Sequence, residues 1–111
     1  MSKSYAVVIP VFNEAENLPE LCDRIEALFQ AFDVGSSFEI LFVDDGSTDN
    51  TPQILDRLEV EHPHIRILQF LRNSGKSLAL MAGFMNVSAD VVITMDGDLQ
   101  DNPEEIPLLV A

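Results

Sequence analysis

The chain has 111 residues, 47% of them hydrophobic, with one cysteine and no tryptophan. That length suits one domain with a real core, near the lower end for an α/β enzyme, and a single cysteine excludes an internal disulfide framework. Nineteen acidic residues against six basic ones give a formal charge of -13, which argues against nucleic-acid binding through phosphate contacts and against attraction to anionic lipid.

In chain order, YAVVIPV (5–11) is continuously apolar and β-branched, the pattern of a strand buried on both faces. After FNEAEN, the residues Leu18, Leu21, Cys22, Ile25, Leu28, Phe29 and Phe32 recur at helical spacing, which places Cys22 on a helix's apolar side as a core residue. FEILFV (38–43) reads as a second strand. DDGSTDNTP follows as a polar turn whose Thr51-Pro52 opens a helix running to about His62. His62 and His64 flank Pro63 without a spaced Cys or carboxylate partner, so a solvated connector is expected there.

IRILQF (65–70) is the third strand. LRNSGKS then leads into a helix apolar on nearly every side, from Leu78 to Met85, which predicts a buried helix. VVITM (91–95) is the fourth strand, and Asn102-Pro103-Glu104-Glu105 starts another helix. The chain stops a few residues into that helix, so it is expected to be a C-terminally truncated part of a larger catalytic domain, with 1–111 one folding unit. No run of roughly 18 apolar residues is present to cross a bilayer.

The order βαβαβαβ predicts an α/β fold with a parallel, doubly wound, Rossmann-like sheet. Ligands bind such sheets beyond the carboxyl ends of the strands. Asn13/Glu14, Asp44/Asp45, Arg72 to Lys76 and Asp96/Asp98/Asp101 all follow strands and are expected at that edge.

Three familiar motifs fail here. A phosphate-binding G-x-x-x-x-G-K-[ST] loop ending at Gly75-Lys76-Ser77 requires glycine where Phe70 stands, and no G-x-G-x-x-G follows the first strand. An EF-hand counted from Asp96 has Asp101 where glycine is needed and Pro107 where glutamate is needed. What remains is chemistry for a nucleotide and a hard cation. Asp98 and Gln100, two apart in an extended segment, can share one Mg²⁺ or Mn²⁺. Asp44 or Asp45 can accept hydrogen bonds from a base imide or ribose hydroxyl, Asn13 and Glu14 offer the same chemistry, and Arg72 and Lys76 suit phosphate. Asp101 by itself reads as a helix-start charge.

Taken in order, VVIPVFNEAENLPEL, FVDDGSTDNT, RNSGKSLALMAGF and VVITMDGDLQDNPEEIP resemble the family 2 glycosyltransferases. The branch they resemble most is the polyprenyl-phosphate, dolichol-phosphate-mannose-synthase-like one, whose loop typically reads D-A-D-L-Q-D-P-P-E. Gly97 and Asn102 depart from that pattern without removing a ligand.

The resemblance implies a GT-A fold with sheet order 3-2-1-4 and a nucleotide-sugar donor whose diphosphate is bridged by Mg²⁺ or Mn²⁺. By matching position, Pro10, Phe12, Asn13 and Glu14 border the nucleoside, Asp44 and Asp45 reach base and ribose, and Arg72 lies beside the nucleotide. Asp96 touches ribose or sugar, and Asp98, the residue assigned to catalysis, holds the metal with Gln100. It further implies inverting transfer to a lipid-phosphate acceptor, with the whole protein at the cytoplasmic side of a membrane and anchored by its missing C-terminal part. The 111 residues alone are then expected to bind donor and transfer poorly, and to self-associate through an exposed fourth-strand edge. A family 2 transferase acting on polysaccharide or protein, a non-catalytic nucleotide-binding domain and an NTPase using Lys76 are the alternatives.

Overall fold

Seven elements alternate in the computed structural model, which describes residues 4–32 and 37–95. They are β1 (Ser4–Val11), α1 (Leu18–Phe32), β2 (Ser37–Asp44), α2 (Thr51–Glu61), β3 (Ile65–Gln69), α3 (Lys76–Met85) and β4 (Val91–Thr94). The strands form one sheet in the order β3-β2-β1-β4, every pair parallel, as the resemblance implies. Each element lies within a residue or two of its sequence-based bounds. The helix start at 102–105 falls outside the described residues.

β1 is hydrogen-bonded on both sides, with Val11 opposite Asp44 on β2 and Val8 opposite Thr94 on β4. Its start is fixed by Asp90, whose carboxylate accepts from the Ser4 backbone N–H at 2.9 Å and from the Ser4 hydroxyl at 3.2 Å. Both faces of β1 are covered, which is why its sequence is apolar at consecutive positions. Val7, Ile9 and Val11 pack with Leu21, Cys22 and Ile25 of α1 and Leu55 and Leu58 of α2. Val8 packs on the opposite face with Leu41, Val43 and Ala79. Right-handed crossovers require this split: β1→β2→β3 step one way across the sheet, and β3→β4 returns the other way.

The sheet order corrects the expectation for α3. Ala79 and Gly83 are its buried residues, while Leu78, Met81, Phe84 and Met85 are 52%, 56%, 49% and 80% exposed. Helix α3 is the one described helix on its face of the sheet, so it buries a single stripe and no described element covers its back. Contact is tight where it occurs. A Cβ added at Gly83 would come within 2.4 Å of Val8 Cγ1.

The histidine loop is also corrected. His62 is not a solvated connector, because its Nδ1 lies 2.8 Å from Glu26 Oε2 and its side chain is 21% exposed. The ring of His64 stacks on Phe38 with centroids 4.2 Å apart. Helix α2 ends alongside α1, so the partners of His62 are far from it in sequence and invisible to local spacing. Cys22 is buried as expected. Burial, and then the nearby carboxylates of Glu26, Asp23 and Glu61, push its thiol up to about 12.

Two outcomes follow from this packing. Gly83→Ala gains up to about 1 kcal/mol of helix propensity but overpacks against Val8 at a cost of about 1–3 kcal/mol. A lower urea midpoint is therefore expected, and Gly83→Val should fall further. Cys22 has a folded-state pKa raised above its ordinary 9.0, so the unfolded chain ionises first. Stability should decline as pH rises from about 9 towards 12, and Cys22→Ala should flatten that decline in alkaline unfolding curves.

Candidate functional site

The carboxyl ends of β1 and β2 carry two loops that hold each other in place. Asn13 follows β1 with φ 55°, a left-handed conformation that asparagine tolerates better than most residues. Its backbone N–H donates to Ser47 Oγ at 2.9 Å, and its side-chain oxygen accepts from the N–H groups of Thr48 at 2.8 Å and Asp49 at 3.2 Å. The Glu14 N–H donates to the buried Thr51 hydroxyl at 3.0 Å, and the Glu14 carboxylate accepts from Asn17 Nδ2 at 2.9 Å. Between the loops lies a cleft of about 250 Å³ lined by Asn13, Glu14, Ala15, Glu16, Asn17, Asp49 and Asn50. A hydrogen bond from the Thr51 side chain is the main cause holding the Asp49 carboxyl below its ordinary value.

Asp44 and Asp45 are both buried, which a turn alone would not require. Asp44 Oδ1 accepts from the Ser47 N–H at 3.0 Å. Asp45 reaches across to the loop after β3, where Oδ1 accepts from the Ser74 N–H at 2.7 Å and Oδ2 accepts from the Gly75 N–H at 2.9 Å and Asn73 Nδ2 at 3.2 Å. Backbone packing makes that reach possible. Gly46, at φ 74°, lies so close to the β3–α3 loop that a Cβ there would sit 2.3 Å from the Arg72 carbonyl carbon and the Asn73 nitrogen.

This arrangement decides the fate of the phosphate-loop reading. A P-loop presents the N–H groups before its helix to a phosphate. Here the Ser74 and Gly75 N–H groups ahead of α3 hold the carboxylate of Asp45 instead. Phe70 accounts for the sequence mismatch and Asp45 for the structural one.

The structure brings most of the sequence-selected residues to one edge. Pro10 is buried near the end of β1 and Phe12 is 42% exposed just beyond it. Arg72 lies on the exposed loop held by Asp45, and Lys76 is the first residue of α3. Asp96, Asp98 and Gln100 lie outside the described residues. The strand that precedes them in sequence is placed: β4 pairs with β1, and the Met95 N–H donates to the Val8 carbonyl at 3.2 Å. In this strand order the chain changes direction between β1 and β4, the switch point at which open α/β sheets bind ligands.

Sequence reasoning did not single out Asn73 or Ser74, and it took Thr51 only as a helix opener, yet all three tie the loops together. Their signal was compositional only, small polar residues after strands. A larger cleft, of about 570 Å³, lies at the opposite edge between the starts of β1 and β2. It lacks the Asp, Asn and Glu cluster of the carboxyl edge.

Comparison with known proteins gives this edge its context. The model of the family described as glycosyl transferase family 2 matches residues 6–111. The chain belongs to that family. Among solved structures, this family 2 chain is similar to the mannosyltransferase PcManGT from Pyrobaculum calidifontis in complex with GDP-Man and Mn²⁺, with 26% identity and a TM-score of 0.76 over 88% of this chain and 28% of that one. It is similar to S. aureus TarS 1-349 in complex with UDP, with 26% identity and a TM-score of 0.71 over 88% of this chain and 28% of that one. The M. tuberculosis glucosyl-3-phosphoglycerate synthase in complex with Mn²⁺, UDP and glucosyl-3-phosphoglycerate matches at 26% identity and a TM-score of 0.74, over 97% of this chain and 38% of that one. The chain thus spans well under half the length of these structures. Its parallel sheet and alternating helices match their glycosyltransferase fold.

The Asp45 clamp predicts a specific lesion. Asp45→Ala leaves the Ser74 and Gly75 N–H groups without their acceptor, at about 1–3 kcal/mol for each group that stays buried and unsatisfied. Gly46→Ala meets the same loop sterically. Both variants should lower the melting temperature, and proteolysis should cut the Arg72–Gly75 loop faster than in the parent chain.

Proposed function

We propose that this chain is the donor-binding part of an inverting glycosyltransferase that moves a sugar from a nucleoside diphosphate to a polyprenyl-phosphate carrier. The observation that carries the reading is the switch point. β1 runs between β2, which ends in the buried Asp44–Asp45 pair, and β4, whose sequence continues into the Asp96–Asp101 segment. Donor complexes in the structural relatives, with GDP-Man and Mn²⁺ in one and UDP and Mn²⁺ in another, support a nucleotide and a divalent cation at this edge. These relatives differ in sugar and ligand, so the choice of polyprenyl phosphate rests on the DGDLQDNPE loop.

In this reading Pro10, Phe12, Asn13 and Glu14 border the nucleoside. Asp45 is committed to the β3–α3 loop through three hydrogen bonds, leaving about one of a carboxylate's four acceptor positions. Asp44, whose second oxygen has one long contact of 3.5 Å from Gln69 Nε2, is the better placed to accept from the base or ribose. Arg72 and Lys76 offer positive charge to the donor diphosphate, and Asp96 contacts ribose or sugar. The donor set of Asp98 and Gln100, all oxygen, fits a hard cation. Mg²⁺ or Mn²⁺ held there supplies charge stabilisation for the departing diphosphate.

The reaction is one displacement. The acceptor phosphate oxygen bonds to the anomeric carbon as the bond to the diphosphate oxygen breaks, with inversion. An acceptor phosphate is already ionised, so the step needs no strong base from this chain. Placement of the whole protein at the cytoplasmic side of a membrane, and pairing of chains through the outer strand β4, belong to the same proposal. Light scattering at high concentration tests the pairing, and a clean monomer counts against it.

Calorimetric titration with UDP and with GDP, each with and without Mn²⁺, tests the donor site. Metal-dependent binding of one nucleotide, weakened at least about tenfold in Asp98→Asn (1.4 kcal/mol), is expected. UDP is favoured because more than one relative is complexed with it. Binding of neither nucleotide overturns the proposal, and ATP binding independent of Asp98 would restore the NTPase alternative.

A further inference from the structure

On the face of the sheet covered by α1 and α2, a second group of metal-ligating side chains comes together. Cys22 and Asp23 lie in the second turn of α1, and His62 is the residue that ends α2. One donor atom from each, the Cys22 sulfur, an Asp23 carboxylate oxygen and a His62 ring nitrogen, all lie within 4.8 Å of one another. Glu26, one turn further along α1, contacts His62 Nδ1 at 2.8 Å through Oε2. This is the carboxylate–histidine pairing that orients imidazoles at metal centres. The group is part of the core wall on one side and open on the other: Cys22 is fully buried, His62 is partly exposed and Asp23 is exposed.

We propose that Cys22, Asp23 and His62 form a site for a borderline-soft divalent cation such as Zn²⁺, oriented by Glu26 and separate from the donor edge. The ligand types choose the metal. Thiolate with imidazole selects Zn²⁺ over Mg²⁺ or Mn²⁺, which prefer the oxygen donors of Asp98 and Gln100. Zn–S and Zn–N lengths place tetrahedral donor atoms about 3.5 Å apart. The group therefore closes by side-chain rotation, which exposed Asp23 can supply, and water completes the shell.

Electrostatics points the same way. Burial, and then the carboxylates of Glu26, Asp23 and Glu61, disfavour ionisation of the Cys22 thiol, and a bound cation favours it. Binding releases the Cys22 proton, so affinity rises with pH.

Co²⁺ titration of the chain reads the site directly. A thiolate-to-metal charge-transfer band in the near ultraviolet can come only from Cys22, the sole cysteine, and not from the donor edge. One equivalent of Co²⁺ should produce the band, Zn²⁺ should displace it, and Zn²⁺ should raise the melting temperature. His62→Gln and Asp23→Asn should each weaken binding by about tenfold or more, and Glu26→Gln by about 10–100-fold. Asp23 is exposed, so its variant keeps the core intact. The inference is overturned if no charge-transfer band forms, or if His62→Gln and Asp23→Asn bind as tightly as the parent. Nucleotide binding, tested separately, is unaffected by either outcome.

Discussion

The arrangement of the carboxyl edge depends on one buried carboxylate. Asp45 stands where β2 ends and is held under the loop that precedes α3, accepting from two backbone N–H groups and one side-chain amide. Without an acceptor there, the backbone N–H groups ahead of α3 would lose the partner that ties the loop to the end of β2. With it, the loop bearing Arg72 is fixed relative to Asp44, and Gly46 allows the two backbones to touch. Asn13 does the same work between the loops after β1 and β2. Among the described residues the edge is therefore a single hydrogen-bonded unit even though its parts come from three connections.

Charge gives that unit its chemical character. With -13 overall, the chain repels phosphate at long range, and its few basic groups are dispersed. Arg66 is engaged by Glu39 at 3.1 Å and by the Asn86 carbonyl, and Arg24 lies 3.9 Å from Glu20. Arg72 and Lys76 are the basic residues assigned to the donor edge. A diphosphate brought to this edge meets mostly carboxylates, which is the physical reason a divalent cation belongs in the reading.

Much of this was legible in the sequence. Buried parallel strands write their pattern locally, in runs such as YAVVIPV, and short polar connections between them fix the alternation with helices. The sheet order came from the family resemblance, because no local pattern encodes which strands lie side by side. Helix α3 was misjudged because apolar composition does not state how many neighbours a helix has; its one neighbour among the described elements is the sheet. His62 was misjudged because its partner, Glu26, lies a helix away in the chain. The commitment of Asp45 to Ser74 and Gly75 was equally hidden, since adjacent aspartates look alike until one of them is seen bonded. For Asp98 and Gln100, proposed as metal ligands, the sequence alone carries the assignment.

The position of β1 has a consequence for how the chain is made. Its first residues pair with Ser37 and Phe38 on one side and Val91 on the other, and Ser4 is locked by Asp90, 86 positions later. A ribosome delivers β1 early but must complete nearly the whole segment before its second edge can be closed. During that interval an apolar strand waits with one side open, the condition under which nascent chains engage chaperones or one another. For this fold, the vulnerable step is the late arrival of β4.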